Sequence, residues 1–238
     1  SGATARLGRV DDGSSFLDFQ PEEIDKKITI DSKIAFLSWK KHHINIVDTP
    51  GFAPFLPDTR NCLRAIDSAL FIISALSESR VESEKLWQSL TEMNIPRILL
   101  VNKIDRERAD FFKAIDDMAK ALDFKPILLQ LPIGKEAQFC GIVDLLTAKS
   151  HIYEMDQSGK YTLSEPPQEM RKDVENYRAK LIEAIAETDD SLLEKYLDGK
   201  ELSIEELRSA LKKGVEKGSI LPLFCSSSAK NIGIHTLL

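Results

Sequence analysis

The sequence predicts an α/β protein in which a three-layer, doubly wound parallel sheet carries an inserted α+β subdomain. Three observations predict this fold class. Short, almost continuous apolar runs are typical of parallel strands buried on both faces, amphipathic helical segments alternate with them, and this alternation stops and later resumes. With 238 residues, of which 42% are hydrophobic, the chain can bury one large core together with an insertion.

The first strands are predicted at 34–39 and 44–48, as an antiparallel pair joined by the polar turn Lys40–His43, which includes His42. Helical spacing of apolar residues then predicts helices at Glu82–Met93 and Ala109–Phe124. Near-continuous apolar runs predict four buried strands: Ala69–Ala75, Arg97–Asn102, Pro126–Leu131 and Leu221–Cys225.

The alternation of predicted strands and helices stops after Leu131. A stretch with Pro and Gly follows, then an apolar run at Cys140–Leu146 and two helical segments. One helix is predicted around 174–185. The other is predicted at Ser203–Lys217, where a Ser-x-x-Glu string indicates a capping box and Gly214 and Gly218 indicate a stop. We therefore assign 1–131 and 221–238 to the main domain and 132–220 to the insert.

Composition excludes several classes of protein. The 32 Lys+Arg and 38 Asp+Glu residues give a net charge of −6, which argues against nucleic-acid or membrane binding driven by overall charge. Three widely spaced cysteines support neither a disulfide framework nor a zinc site. Without an 18-residue apolar run or a signal-peptide pattern, we expect a cytoplasmic protein with no membrane contact. We also expect a monomer, and we expect both chain ends to be cut from a longer protein.

Asp48-Thr49-Pro50-Gly51 follows the second predicted strand. An aspartate at such a strand end can hold Mg²⁺ through water, and a nearby glycine lets its N–H approach a terminal phosphate. Taken alone, the string is more typical of an ordinary Pro-Gly turn after a strand. Thr29, ahead of the hairpin, could add a hydroxyl ligand to the metal, although a β-branched residue entering a strand is an ordinary feature.

Asn102-Lys103-Ile104-Asp105 closes a buried strand. A carboxylate there can accept both N–H groups on one edge of guanine, while the lysine stem can lie along the purine face. The alternative is a helix cap with a charge pair. Cys225-Ser226-Ser227-Ser228-Ala229-Lys230 follows another strand, and its small residues would let backbone N–H groups approach a base oxygen.

This series of strings resembles the GTPase domains of translation factors, most closely elongation factor G and its paralogues. The resemblance covers essentially the whole chain. It also rests on five further strings: Gly8–Gly13, Lys26–Ile30, Gln130–Gly134, Gly141–Asp144 and Leu197–Glu201.

The resemblance implies a G domain of the P-loop GTPase type that binds GTP or GDP with Mg²⁺ and acts on the ribosome. Thr29 and Asp48 would belong to the magnesium shell, and Asp48–Gly51 would face the phosphates. Asn102, Lys103 and Asp105 would hold guanine together with Ser227, Ser228 and Ala229, with Ser228-Ala229-Lys230 as the alternative register.

Three positions depart from the family pattern. No Gly-x-x-x-x-Gly-Lys-Ser/Thr loop occurs in the 238 residues, and in the family it precedes the segment with which this chain opens. Phe52 stands where the family usually has the histidine that orients the attacking water, so this catalytic position is impaired. Lys26-Lys27 replaces the usual Arg-Gly, which predicts a less flexible first switch.

We expect the intact protein to hydrolyse GTP at a ribosomal step such as translocation, and the 238 residues alone to be inactive. Two alternatives remain open. One is a non-catalytic module that binds guanine nucleotide or docks on the ribosome, and the other is the G domain of a ribosomal protection factor.

Overall fold

The computed structural model describes residues 8–76 and 81–238. For residues 81 and 82 it describes the backbone only. These residues form two compact units. The first contains 8–67, 81–93 and 238, and the second contains 68–76 and 94–237. The sequence-predicted helix at Glu82–Met93 is confirmed as Val81–Glu92 in the first unit.

The first unit is built around an antiparallel hairpin. Lys33 pairs with Asp48 and Trp39 with His42, so the predicted hairpin is confirmed. Its turn is shorter than predicted, because His42 and His43 belong to the second strand, where His43 stacks on Phe36 with 5.4 Å between the ring centroids. The elements of this unit are α1 (Pro21–Lys26), β1 (Lys33–Trp39), β2 (His42–Asp48), α2 (Leu56–Cys62) and α3 (Val81–Glu92).

The second unit contains a parallel sheet with the strand order β3-β4-β10-β5. Its strands are β3 (Ala69–Ser74), β4 (Arg97–Asn102), β5 (Ile127–Leu128) and β10 (Pro222–Cys225). Leu99, Val101 and Leu223 are completely buried, as the apolar runs predicted for central strands. β3 lies at one edge of the sheet, and there Leu70 and Ile72 are 44% and 56% exposed, so the prediction of two covered faces is wrong for this strand.

A separate antiparallel sheet has the order β6-β7-β8-β9. Its strands are β6 (Gln130–Ile133), β7 (Gly141–Asp144), β8 (Lys149–Tyr153) and β9 (Tyr161–Ser164). The predicted strand Pro126–Leu131 is wrong as a single element. The chain changes sheets at Leu129, whose N–H still donates to Leu223 O at 2.9 Å, so β5 and β6 follow one another in different sheets.

Helices accompany both sheets: α4 (Phe111–Leu122), α5 (Arg171–Ala186), α6 (Asp190–Leu197), α7 (Ile204–Glu216) and α8 (Ile234–Leu237). α4 begins at Asp110, whose carboxylate accepts the Lys113 N–H, and its apolar face is buried. α5, α6 and α7 share one core with β6 and β7. Three helices therefore stand where two were predicted, because the short α6, capped by Asp189, was missed.

The capping box predicted for α7 is confirmed, with Ser203 and Glu206 each accepting an N–H of the other. The prediction that the helix stops at Gly214 is wrong, because this residue lies within α7. A Cβ at this position would lie 2.7 Å from Ile220 Cδ1, so glycine is needed for the close approach of the chain after the helix. In the described ranges no helix is both long and apolar enough to cross a bilayer.

Candidate functional site

Two loops meet where β4 and β10 end. The side chain of Asn102 joins them: its Nδ2 donates to Ser228 Oγ at 3.0 Å, and its Oδ1 accepts the Ser228 N–H at 3.0 Å and the Ser226 hydroxyl at 3.2 Å. The carboxyl ends of neighbouring parallel strands share one sheet edge, which is why two loops separated by more than a hundred residues in sequence lie together. Asn102 is thus a structural link as well as a candidate ligand.

Lys103 and Asp105 follow in the loop after β4. Lys103 has a φ of +64°, in the left-handed region, and its carbonyl accepts the Arg106 N–H. The Oδ1 atom of Asp105 is buried, and no donor among the described residues reaches it. A buried carboxylate oxygen without a partner is costly, so this atom indicates a place where a donor from outside the protein is expected.

The loop that follows β10, residues 226–233, is called the serine loop here, and bonds within it fix its conformation. Ser227 is completely buried, its Oγ accepts the Lys230 N–H at 3.1 Å, and its backbone pairs with Ile232. Ser228 and Ala229 are exposed beyond it. The structure thus brings Asn102, Lys103 and Asp105 into the same unit as the serine loop.

The other predicted residues lie in the first unit. Asp48 ends β2, and Thr49 and Pro50 lead into a turn held by the Thr59 hydroxyl, which donates to Pro50 O at 2.7 Å. Gly51 is exposed, and a Cβ there would meet no described atom within 4 Å. Packing among the described residues therefore does not require glycine here.

Phe52 directly follows this turn and is 54% exposed. Its ring lies 6.2 Å from that of Phe55, measured between centroids, and its backbone carbonyl accepts the Phe55 N–H. Its side chain offers no hydrogen-bonding group to a water molecule.

Charged side chains of the first unit contact Thr29 and the residues that follow it. The Thr29 hydroxyl donates to Asp18 Oδ1 at 2.8 Å. Glu23 is completely buried and accepts the Lys33 ammonium at 2.9 Å, together with the N–H groups of Ile30 and Asp31. Burial alone would raise the pKa of Glu23, but these hydrogen bonds outweigh it and lower the pKa to about 2.

The pKa of Asp48 is raised by burial and by the negative charges of Asp18 and Glu23, while Lys33 acts in the opposite direction. A cation beside Asp48 would relieve this repulsion. The Asp48 carboxylate and the Thr29 hydroxyl are oxygen donors of the kind that Mg²⁺ takes, and Mg²⁺ commonly uses only one or two protein ligands beside phosphate oxygens. Within the described ranges no cluster of three His, Cys, Asp or Glu side chains forms a metal site.

The segment between α1 and β1 has a constrained backbone. Lys27 ends α1 with a φ of +57°, a conformation that glycine adopts without the cost paid by other residues. Ser32 donates its N–H and its hydroxyl to Asp58 of α2, which lowers the pKa of Asp58. These bonds connect the segment around Thr29 to the helix that follows the Asp48–Gly51 string.

The elongation factor Tu GTP-binding domain model matches residues 1–238, the whole chain. The chain belongs to this family. It is therefore a GTP-binding G domain of the translation-factor type. A solved structure described as the crystal structure of ttk003000868 from Thermus thermophilus is 32% identical in sequence, with a TM-score of 0.89. That match covers 99% of this chain but only 35% of the other, so the G domain described here corresponds to about a third of that protein.

Sequence reasoning missed several residues of this G domain. Asp18, Glu23 and Lys33 are ordinary charged residues in sequence, and their importance comes from burial and contact, which no local pattern reports. Glu136, which contacts the loop after Asp105, also had no sequence signal.

Proposed function

We propose that this chain is the GTP-binding domain of an elongation factor G-like translation factor. GTP binding and hydrolysis would drive a ribosomal step such as translocation, and the main domain would have the three-layer arrangement with 132–220 as its insert. The unpartnered, buried Asp105 Oδ1 carries the guanine part of this proposal. Guanine presents N1–H and N2–H side by side on one edge, and a carboxylate can accept both.

In this proposal the base lies between the two loops of the second unit. Asp105 accepts the guanine N–H groups, the Lys103 stem covers the purine face, and Asn102 holds the serine loop so that its backbone can approach the base oxygen. Support comes from the bonds that the protein itself makes between the two loops through the Asn102 side chain. A binding site ordered in advance avoids part of the entropic cost of association.

By the family resemblance, the phosphates would be bound by Thr29 and the Asp48–Gly51 string. Water attacks the γ-phosphorus, the bond from that phosphorus to the β–γ bridging oxygen breaks, and GDP and phosphate leave. Gly51 would present its N–H to the γ-phosphate, and Thr29 and Asp48 would hold Mg²⁺, which neutralises phosphate charge when bound. Thr29 is oriented for this by its bond to Asp18.

The test of guanine recognition is Asp105→Asn in the full-length protein. The amide offers an N–H where xanthine has a carbonyl, so the variant should lose GDP and gain xanthosine diphosphate. Two hydrogen bonds to a charged group correspond to a loss of about 10²-fold or more in GDP affinity. Asp116→Asn, the same change on the exposed face of α4, is the matched control. Unchanged preference for GDP in Asp105→Asn would contradict the proposal.

A second candidate function is a guanine-nucleotide-dependent docking module that does not hydrolyse GTP. The observation that favours it is Phe52, which exposes a ring without a donor or acceptor next to Gly51. Both candidates share the guanine site, so they are separated by the rate of hydrolysis and not by nucleotide affinity.

A further inference from the structure

A short turn of the antiparallel sheet touches both guanine loops. Between β6 and β7, Glu136 Oε1 accepts the Arg108 N–H at 2.7 Å, three residues after Asp105. The neighbouring Ala137 O accepts the Lys230 ammonium of the serine loop at 2.9 Å. Two adjacent residues of one turn therefore hold the two loops, which the proposed function assigns to the base.

The geometry of this turn is tightly fixed. Gly134 has a φ of +82°, and a Cβ there would lie 2.1 Å from Gln138 O. Only glycine can therefore occupy this position without moving the backbone. Phe139, just after the turn, is completely buried and donates its N–H to Glu136 O. Because the turn is closely packed, a shift of the antiparallel sheet would also move the two loops that the turn contacts.

Gln130 forms a second connection at the start of β6. This residue is 2% exposed; its Oε1 accepts the Cys225 N–H at 3.2 Å, and its Nε2 donates to Thr236 Oγ1 at 2.8 Å. Cys225 precedes the serine loop and Thr236 follows it. One side chain thus fixes both ends of the loop.

A third connection comes from the turn between β8 and β9. Asn231 Nδ2 donates to Gln157 O at 3.2 Å, and a Cβ on Gly159 would lie 2.7 Å from the same nitrogen. Glycine at this place lets the turn come against the serine loop. Three separate parts of the antiparallel sheet therefore contact the loop 226–233 or its ends.

We propose that the antiparallel sheet β6–β9 positions the guanine-recognition loops, with Glu136 and Gln130 as positioning residues. The inference rests on the proposed function and extends it. Without these bonds the loops occupy additional positions, and the apparent affinity for guanine is multiplied by the fraction of molecules in which the loops are placed correctly. By the same coupling, a partner that displaces the antiparallel sheet changes the affinity for guanine nucleotide.

The experiment compares Glu136→Met with Glu136→Gln in the full-length protein. Met removes the acceptor for the Arg108 N–H at similar size, whereas Gln keeps a carbonyl oxygen in its place. GDP and IDP affinities are measured, because IDP lacks only the exocyclic amine expected to face Asp105. Glu136→Met should reduce the preference for GDP over IDP about threefold to tenfold, and Glu136→Gln should stay within about twofold of the parent.

Amide hydrogen exchange of Arg108 and of residues 226–233, recorded without nucleotide, supplies a readout that does not depend on binding. Exchange of the Arg108 amide should accelerate about threefold to tenfold in Glu136→Met, and exchange of residues 226–233 should accelerate by a similar factor in Gln130→Met. Both should remain unchanged in Glu175→Met, a matched change on the exposed face of α5. Global unfolding would accelerate exchange throughout the chain and lower GDP and IDP affinities equally.

Two results would overturn the inference: Arg108 exchange and the GDP-to-IDP ratio both unchanged in folded Glu136→Met, or Glu136→Gln as impaired as Glu136→Met. Failure of the proposed function has a different signature. In that case the parent protein would bind neither nucleotide, while the exchange measurement would still report whether the sheet holds the loop.

Discussion

The buried Glu23–Lys33 pair should control the order of the segment that contains Thr29. Glu23 accepts the N–H groups of Ile30 and Asp31 and the Lys33 ammonium, and its pKa falls from 4.5 to about 2. At about 1.4 kcal/mol per tenfold change in proton affinity, this corresponds to about 3 kcal/mol. Because the folded pKa is the lower one, the contribution is complete above pH 4.5 and declines as the pH falls toward 2.

Glu23→Gln removes the charge at nearly constant volume and leaves Lys33 buried without its counter-ion. We expect the amides of Ile30 and Asp31 to exchange up to about 100-fold faster at pH 7, where the parent has the full contribution. In the parent, protection of these amides, corrected for intrinsic rates, should decline as the pH falls from about 4.5 toward 2. The assay is hydrogen exchange followed by NMR.

Glu22→Gln is the matched control, because Glu22 is exposed in the same turn of α1 and its loss affects only the helix dipole, by about 0.5 kcal/mol. The reasoning would be refuted by equal exchange in Glu23→Gln and the parent at pH 7. Parent protection that stays constant as the pH falls over the same acid range would refute it as well.

Two further predictions concern catalysis and packing. Phe52→His should raise ribosome-stimulated single-turnover phosphate release, by up to about 10²-fold, with little change in GTP affinity, since the imidazole acts on the attacking water; an equal or slower rate would show that another group orients the water. Gly214→Ala should destabilise the second unit by about 1–3 kcal/mol in thermal unfolding, because its Cβ would meet Ile220 Cδ1 at 2.7 Å, and Ile220→Val should recover part of the loss. If Gly214→Ala unfolds at the same temperature as the parent, the Ile220 side chain can move aside and the steric argument is wrong.

The sequence predicted well those parts of the fold that local periodicity determines. β4 and β10 are buried apolar runs, and Ser203 begins α7 with its capping box, so each could be located without knowing its partners. The run Pro126–Leu131 could not be divided correctly, because apolar character does not reveal that the hydrogen-bonding partner changes at Leu129.

In the candidate site, too, residues within short local strings could be predicted, whereas residues that depend on contacts between distant segments could not. Asp48 and Asp105 could be proposed from short strings at strand ends, and they remain candidates for the roles that the resemblance implies. Glu23 and Glu136 could not, because each acquires its role through contacts between separate segments. α6 did carry a usable local signal, since Asp189 accepts N–H bonds from the two residues after Asp190.

The change of sheets at Leu129 also has a consequence for folding. Ile127 pairs with Pro222 and Leu128 with Leu223, so the residues between these pairs must close a long loop before β5 and β10 can join. The antiparallel sheet is assembled from neighbouring strands, which close only short loops and form quickly. Once α5, α6 and α7 have packed on it, Leu129 and Ile220 lie within one core, and the loop that remains is shorter, saving about 0.6 kcal/mol of closure entropy for each halving. The antiparallel sheet should therefore form first and serve as the nucleus on which the last parallel strands are added.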